Sequence, residues 1–477
     1  MKNHLLFVLI LSGCTLSSEL RKVKPPVPDK LPTTFSDGTL SETKKEVELP
    51  SWKDFYKSQR LVSLIEKSLE NNRDLKIAVL NAEMVRQSYG IQKSALFPDI
   101  NLKASHRRQK LPPNLLQGGG GFQGAGLSAD EGDGFIQEQN ELSLGITAYE
   151  LDLFGKLRSL SEAALQEYLA SREAQRSARV ALISQVASTY LRLLANKELE
   201  LIARNTVKSQ KETLEIISKR FKSGVDSELE LRQAQVLLES AEADALAFKR
   251  ETELAKNVLS FLVGGPVDLT DISSGLEDSM NSMKELHLGL SSSILLNRPD
   301  IKEAERNLKA SHAVIGAARA AFFPSVALTT SIGKLSADTK DLFEEDSNTW
   351  LFSPSINVPI FTAGRNKARL RLVELRKEKS VVEYEKAIQD AFREAADALV
   401  SNTLLEKQLQ KQSEVVKAAR KASRLSRLRY QVGVDSYLNA LDARRSLYTA
   451  QRGLVNQRLK YLSNLASLYK VLGGGVD

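Results

Sequence analysis

Two hydrophobic periods divide the chain. Apolar and polar residues alternate at Ile100, Leu102 and Ala104; at Leu142, Leu144, Ile146 and Ala148; at Val326, Leu328, Thr330 and Ile332; and at Ile356, Val358 and Ile360. Each run predicts a β-strand with one apolar face. A membrane strand shows this pattern, and so does a half-buried soluble sheet. Elsewhere the period is helical, as at Leu182, Val186, Tyr190, Leu193 and Leu194. No Pro or Gly interrupts Lys156 to Phe221 or Arg365 to Tyr430. At 1.5 Å per residue each of these helices runs roughly 100 Å. Helices of that length hold only when packed against neighbours.

The pattern occurs twice, on one ruler. Gly155 is followed 69 residues later by Gly224, in Gly224-Val225-Asp226-Ser227, and Gly364 is followed 69 residues later by Gly433, in Gly433-Val434-Asp435-Ser436. A further 40 residues lead to Gly264-Gly265 and to Gly473-Gly474. Each half opens with a helix, and Asp74, Gly90 and Pro98 of the first match Asp300, Gly316 and Pro324 of the second. The prolines end those helices, because the residue before proline disfavours the α region. At each Gly-Val-Asp-Ser turn the glycine supplies the left-handed position that stops a long helix. Ser227 and Ser436, or the adjacent Asp, are placed to cap the return helices to Val263 and Leu472. A return helix stacked on an opening helix matches one long helix. The predicted architecture is mainly α with a membrane β-barrel portion: a long α-helical barrel of tandem-repeat hairpins, with four strands per chain at one end. The expected segments are 1–13 (signal peptide), 14–58 (tether), 59–265 (first repeat), 266–293 (linker) and 294–473 (second repeat). A Gly-rich, acidic stretch from Gln117 to Gly134 reads as an exposed hairpin tip.

Composition narrows the chemistry. The formal charge is +8, from 67 Lys and Arg against 59 Asp and Glu. The two signs interleave along helical faces, which is a solvated surface rather than a nucleic-acid stripe. Lys2 followed by the apolar run Leu5 to Leu11 forms a signal peptide too short to span a bilayer. It ends in Leu11-Ser12-Gly13-Cys14, and Cys14 is the single cysteine of the chain. Small residues before that cysteine resemble a lipobox, which implies cleavage before Cys14 and acylation of its thiol. Pro25, Pro26, Pro28 and Pro32 punctuate the polar tether that follows. His4, His106, His287 and His312 share no metal-ligand spacing, so neither an enzyme nor a cofactor beyond the covalent lipid is expected.

Four strands cannot close a barrel, and an open edge in lipid leaves backbone groups unsatisfied. The chain must therefore share a barrel with copies of itself: two copies give eight strands and three give twelve.

Several motifs then carry a resemblance over nearly the whole chain. They are the lipobox; Leu69-Glu70-Asn71-Asn72-Arg73-Asp74-Leu75; Tyr149-Glu150-Leu151-Asp152-Leu153-Phe154-Gly155; Gln175-Arg176-Ser177-Ala178-Arg179; Arg429-Tyr430 with Gly433-Val434-Asp435-Ser436-Tyr437-Leu438; and Leu441-Asp442-Ala443-Arg444-Arg445-Ser446-Leu447. Together they resemble the TolC family of outer-membrane efflux channels, in its OprM-type lipoprotein branch. The resemblance implies a homotrimer with a twelve-stranded outer-membrane barrel and a periplasmic helical tunnel. It implies export of drugs or other small solutes as a passive duct, with a periplasmic adaptor protein and an inner-membrane pump of the resistance-nodulation-division type. Adaptor docking is expected at Gly224, Val225, Ser227, Gly433, Val434 and Ser436. Asp226 reads as docking or capping rather than pore lining. Asp435, with Tyr430, is expected at the aperture, where a ring of like charges favours cations. Asp442 is either a second ring or a partner for Arg445. Two other readings compete: a channel coupled to an ABC-type secretion machine, and a lipid-anchored coiled-coil scaffold.

Overall fold

A computed structural model describes residues 49–111, 127–130, 134–268, 275–280 and 292–475, with Leu16, 26–28 and Met283. The signal peptide, Cys14 and most of the tether and linker lie outside them, as does much of the Gly-rich stretch. The helices are α1 (Trp52–Phe55), α2 (Gln59–Asn71), α3 (Arg73–Ser94), α4 (Lys156–Lys222), α5 (Glu228–Val263), α6 (Leu276–Met280), α7 (Pro299–Ala320), α8 (Arg365–Gln431) and α9 (Tyr437–Val471). The strands are β1 (Ile100–Leu111), β2 (Leu127–Asp130), β3 (Gly134–Leu151), β4 (Ser325–Ser336) and β5 (Asn348–Asn357). The two long helices are each 67 residues, within a residue of their expected ends. No described helix is long and apolar enough to cross a membrane.

The chain forms two compact units that cut across the repeat. The first takes residues 84–168 and 307–381 and holds the sheet. Its order is β1-β3-β4-β5, all antiparallel, with β2 pairing β3 beyond the end of β4. The register gathers the alternating apolar positions onto one face. Leu102 lies opposite Leu144, Leu144 opposite Ile332, and Ile332 opposite Trp350. These side chains are exposed: Leu102 is 70%, Ile332 64% and Trp350 76% accessible. The opposite face is polar, and there Lys103 bridges Glu141 at 2.7 Å. An exposed apolar face backed by a polar one is what lipid outside and water inside require.

Three details depart from the simple alternation. β2 lies inside the stretch expected to be a bare hairpin tip, where it extends the pairing of β3. Ala148 sits at φ 54° in a bulge between Ile146 and Tyr149, which resets the register so that Tyr149 faces Leu328. The fourth strand runs earlier than the Ile356-Val358-Ile360 pattern predicts and ends at Asn357, because Pro359 cannot donate to a ladder. Within one chain only β4 pairs β5, so Pro354 lies on a strand with one free side.

The motif before α4 acquires a physical reason. Asp152 accepts from the Leu157 and Arg158 amides at 3.0 and 2.9 Å, satisfying donors of the first helical turn, and pairs with the Arg158 guanidinium. Phe154 stacks on Phe323 at 4.8 Å, and Gly155 turns the chain at φ 74°. The Tyr149 hydroxyl donates to the Leu96 carbonyl at 2.8 Å.

The second unit takes residues 23–83, 169–306 and 382–477. Its core joins α2, α4, α5 and α9, with Val186, Tyr190, Leu193, Leu194, Leu259 and Leu462 buried. Trp52, Phe55 and Tyr56 enter this core, and Phe55 stacks on Tyr469 at 4.2 Å. The end of the expected tether is thus core, and burying each aromatic contributes about 1.5–3 kcal/mol. Val27 and Leu49 pack on a second cluster around Ile388 and Leu468. Asn72 divides the first opening helix: its Oδ1 accepts from the Leu75 amide, and its Nδ2 donates to the Leu262 carbonyl, both at 2.9 Å.

Arg298 holds the second opening helix. It is buried, pairs with Asp300 at 2.6 Å and Glu394 at 2.8 Å, and donates to the Val471 carbonyl at 3.0 Å. Arg298→Met should lower stability by about 2–3 kcal/mol, measured as a drop in the thermal unfolding midpoint, since partly exposed carboxylates recover some hydration. An unchanged midpoint would show that the ion pairs do not fasten this helix.

Candidate functional site: the paired hairpin turns

The α4–α5 and α8–α9 turns belong to the second unit and share one construction. In the first, the Gly224 amide donates to the Phe221 carbonyl at 2.9 Å and the Val225 amide to the Arg220 carbonyl at 3.0 Å. In the second, Gly433 donates to Tyr430 at 3.0 Å and Val434 to Arg429 at 2.9 Å. Both are Schellman caps, with glycine at φ 75° and 78°. A Cβ at either glycine would meet nothing within 4 Å, so the backbone angle alone demands glycine.

An arginine six residues before each aspartate staples the turn. Arg220 Nε lies 2.9 Å from both oxygens of Asp226, and Arg429 Nε lies 2.7 Å from Asp435 Oδ2. The Asn439 amide adds a hydrogen bond to Asp435 at 3.2 Å. Arg429 first, and Asn439 second, hold the Asp435 carboxyl below the usual carboxylate range. Its charge therefore persists at neutral pH and is lost only in acid.

Capping differs between the halves. Ser227 and Glu230 form a reciprocal capping box, with the Ser227 amide donating to Glu230 at 2.9 Å and the Glu230 amide to Ser227 Oγ at 3.3 Å. Ser436 occupies the matching position, but its side chain caps nothing. The residue three further on is Asn439, whose amide is turned to Asp435, so the box cannot form.

The three aspartates are not equivalent. The Asp226 side chain is 6% exposed and Asp435 22%, whereas Asp442 is 63% exposed and lies a loose 3.9 Å from Arg445. Asp226 and Asp435 are committed to their arginines; Asp442 keeps a carboxylate open to solvent.

Tyr430 joins the two turns. Its ring lies 5.6 Å from the Arg220 guanidinium of the other turn, within cation–π range, and 5.6 Å from the Tyr437 ring. Burial first, and the Asp226 carboxylate second, raise its phenol above the ordinary tyrosine range. Beneath it Ile217, Ala234, Tyr437 and Leu441 form a small buried cluster drawn from α4, α5 and α9. Higher up, Arg444 donates to Thr213, while Tyr448 and Arg452 converge on Asp244 at 2.8 and 2.9 Å. The second half's return helix is thereby tied to both helices of the first hairpin. Sequence reading singled out Tyr430 but not Arg220, Thr213 or Asp244. The signal available was the shared Arg-aromatic-x-x-Gly-Val-Asp spacing, which places Arg220 and Arg429 alike.

Among the described residues no group of His, Cys, Asp and Glu could hold a metal ion. The chain matches the family model described as outer membrane efflux protein over residues 64–265 and 290–474. It is 41% identical over 469 residues to the solvent efflux pump outer membrane protein SrpC of Pseudomonas putida, covering 98% of this chain and 97% of that one. It is 37% identical to the cation efflux system protein CusC of Escherichia coli O157:H7 over the same shares. Among solved structures, the open state of the MtrE outer membrane channel of Neisseria gonorrhoeae superposes with a TM-score of 0.85 at 36% identity, covering 97% of this chain and 99% of that one. The family model and these relatives match along nearly the full length of the chain, and the chain belongs to the outer membrane efflux protein family.

Proposed function

We propose that this protein is the exit duct of a tripartite efflux assembly. Three copies share a twelve-stranded barrel in the outer membrane and receive small solutes from a periplasmic adaptor and an inner-membrane pump of the resistance-nodulation-division type. The observation that carries this reading is the sheet, whose apolar face is exposed and whose edge strands β1 and β5 each pair on one side only. A lipid-anchored helical scaffold has no use for such a face. Exposed apolar stripes on the helices support assembly as well: Ile77, Leu80, Met84 and Ile91 recur on α3, and Leu372, Leu375 and Val382 on α8. The relatives' names favour solute efflux over an ABC-coupled secretion role; organic solvents, for which SrpC is named, and antibiotics, for which the similar antibiotic efflux pump outer membrane protein ArpC of Pseudomonas putida is named, are the substrates we assign.

The twin turns form the adaptor-facing tip, presenting Gly224, Val225, Ser227, Gly433, Val434 and Ser436. Val225 and Val434 are exposed at 64% and 61%, as apolar seats for a partner hairpin require. Asp226 and Arg220 stiffen the first turn. Asp435 and Asp442 form carboxylate rings at the aperture, and Tyr430 holds the two turns together behind them. The chain acts as a passive conduit whose driving energy comes from the pump.

Lipid on Cys14 anchors the N-terminus. Cys14→Ala should abolish incorporation of labelled fatty acid and leave the barrel in the outer-membrane fraction. A variant found in the soluble periplasm would contradict the barrel. The function itself is tested by expression in a host lacking its own outer-membrane channel, with a matching pump and adaptor supplied. Restored solvent and antibiotic tolerance is expected, and tolerance at the empty-vector level would refute the assignment.

A further inference from the structure

Many arginines of the second unit are paired, among them Arg393 with Asp397, Arg429 with Asp435, Arg452 with Asp244, and Arg458 with Glu198. One group departs from this rule. Between α4, α8 and α9 lies a cavity of about 350 Å³, and Arg420, Arg424, Arg427 and Arg444 line it together with no carboxylate among the lining residues. Buried Ser423 and Gln210 also line it, and the amide oxygen of Gln210 has no hydrogen-bond partner. An amide turned end for end would present its NH₂ to an acceptor instead. Arg444 donates to Thr213, a neutral hydroxyl, and burial together with the Arg427 charge lowers its pKa. Arg420, Arg424 and Arg427 are exposed, Arg444 is half-buried, and Glu212 acts on Arg444 from outside the lining. An anion entering the hollow would relieve the repulsion among the four that solvent leaves unscreened.

We propose that this cavity binds a small divalent oxyanion of the phosphate or sulfate class. The guanidinium fork matches oxyanion geometry bidentately, and the added hydroxyl and amide groups supply further donors. The volume, room for about a dozen waters at roughly 30 Å³ each, accommodates a tetrahedral oxyanion that keeps much of its hydration. The bound anion bridges α8 and α9 of the second half to α4 of the first. It therefore fastens the same helices that end in the twin turns.

The test is equilibrium dialysis of radiolabelled inorganic phosphate against the full-length protein in mild detergent. One saturable site per chain is expected, competed by sulfate and not by chloride at matched ionic strength. Arg420→Gln with Arg424→Gln should weaken binding by about tenfold or more, while Arg232→Gln, on α5 and paired with Glu228, should leave it unchanged. Should the double variant fail to assemble, Arg424→Lys keeps the charge, removes the fork and should still lower affinity. Binding well below one per chain, competition by chloride, or equal affinity in wild type and in both Arg424 variants would overturn the proposal.

Discussion

Gly433→Trp is expected to abolish export and to leave the protein assembled in the outer membrane. The two halves of that outcome have separate causes. Gly433 sits at φ 78°, so any side chain costs about 1–2 kcal/mol of backbone strain. Its surroundings are open, and a Cβ there touches nothing. The fold therefore absorbs the substitution, while the indole projects onto the surface proposed to seat the adaptor. If Gly433 served only to stop a helix, alanine and tryptophan would do similar, modest damage and export would survive both. On the docking account Gly433→Ala keeps most activity, whereas Gly433→Trp falls to the level of a strain without the channel. Tolerance assays beside immunoblots of unheated membranes separate loss of function from loss of protein. Gly264 provides the contrast, because a Cβ there would lie 2.7 Å from the Asn71 carbonyl oxygen. Gly264→Trp should remove the folded protein itself.

Arg220→Ala and Tyr430→Ala are each expected to open the aperture, seen as higher single-channel conductance in planar bilayers and greater entry of large hydrophilic antibiotics. Arg220 reaches across to the other turn through the Tyr430 ring and staples its own turn through Asp226. Losing it frees the Asp226 carboxylate as well as the ring. Tyr430→Ala removes only the link between turns, together with its packing on Tyr437. The cation–π term at such an exposed site is about 0.5–1 kcal/mol, so the pair should show coupling of that size in a double-mutant cycle. Conductance equal to wild type in both variants would mean that this cluster does not hold the tip shut. Arg429→Ala supplies a control, since it loosens the α8–α9 turn through Asp435 without touching the link between turns.

Much of the architecture was legible because the repeat is written in local chemistry. A glycine that must adopt a left-handed angle, a proline that ends a helix and a long run free of both are readable without tertiary knowledge. Gly224, Gly433 and the ends of α4 and α8 fell where that chemistry put them. Alternation found the sheet but not its edges. The bulge at Ala148 and the early end of β5 depend on pairing partners nearly two hundred residues away or on Pro359, and a period of two carries neither. The tether read as polar from its prolines, yet Trp52, Phe55 and Tyr56 are core because Tyr469 waits for them near the far end of the chain. The paired turns were legible in their glycines and not in their fastenings. Equal motifs suggested equal caps, but Glu230 against Asn439 decides that only Ser227 forms a box. The bonds from Arg444 to Thr213 and from Arg452 to Asp244 join the two halves, and no pattern within either half encodes them.

The central claim is that one chain supplies only part of a barrel. The most direct measurement is the number of chains per particle of the purified full-length protein in mild detergent, by light scattering corrected for bound detergent. Three chains per particle, stable on dilution, is the predicted result. A monodisperse single chain with its sheet intact would contradict the shared barrel, and with it the duct.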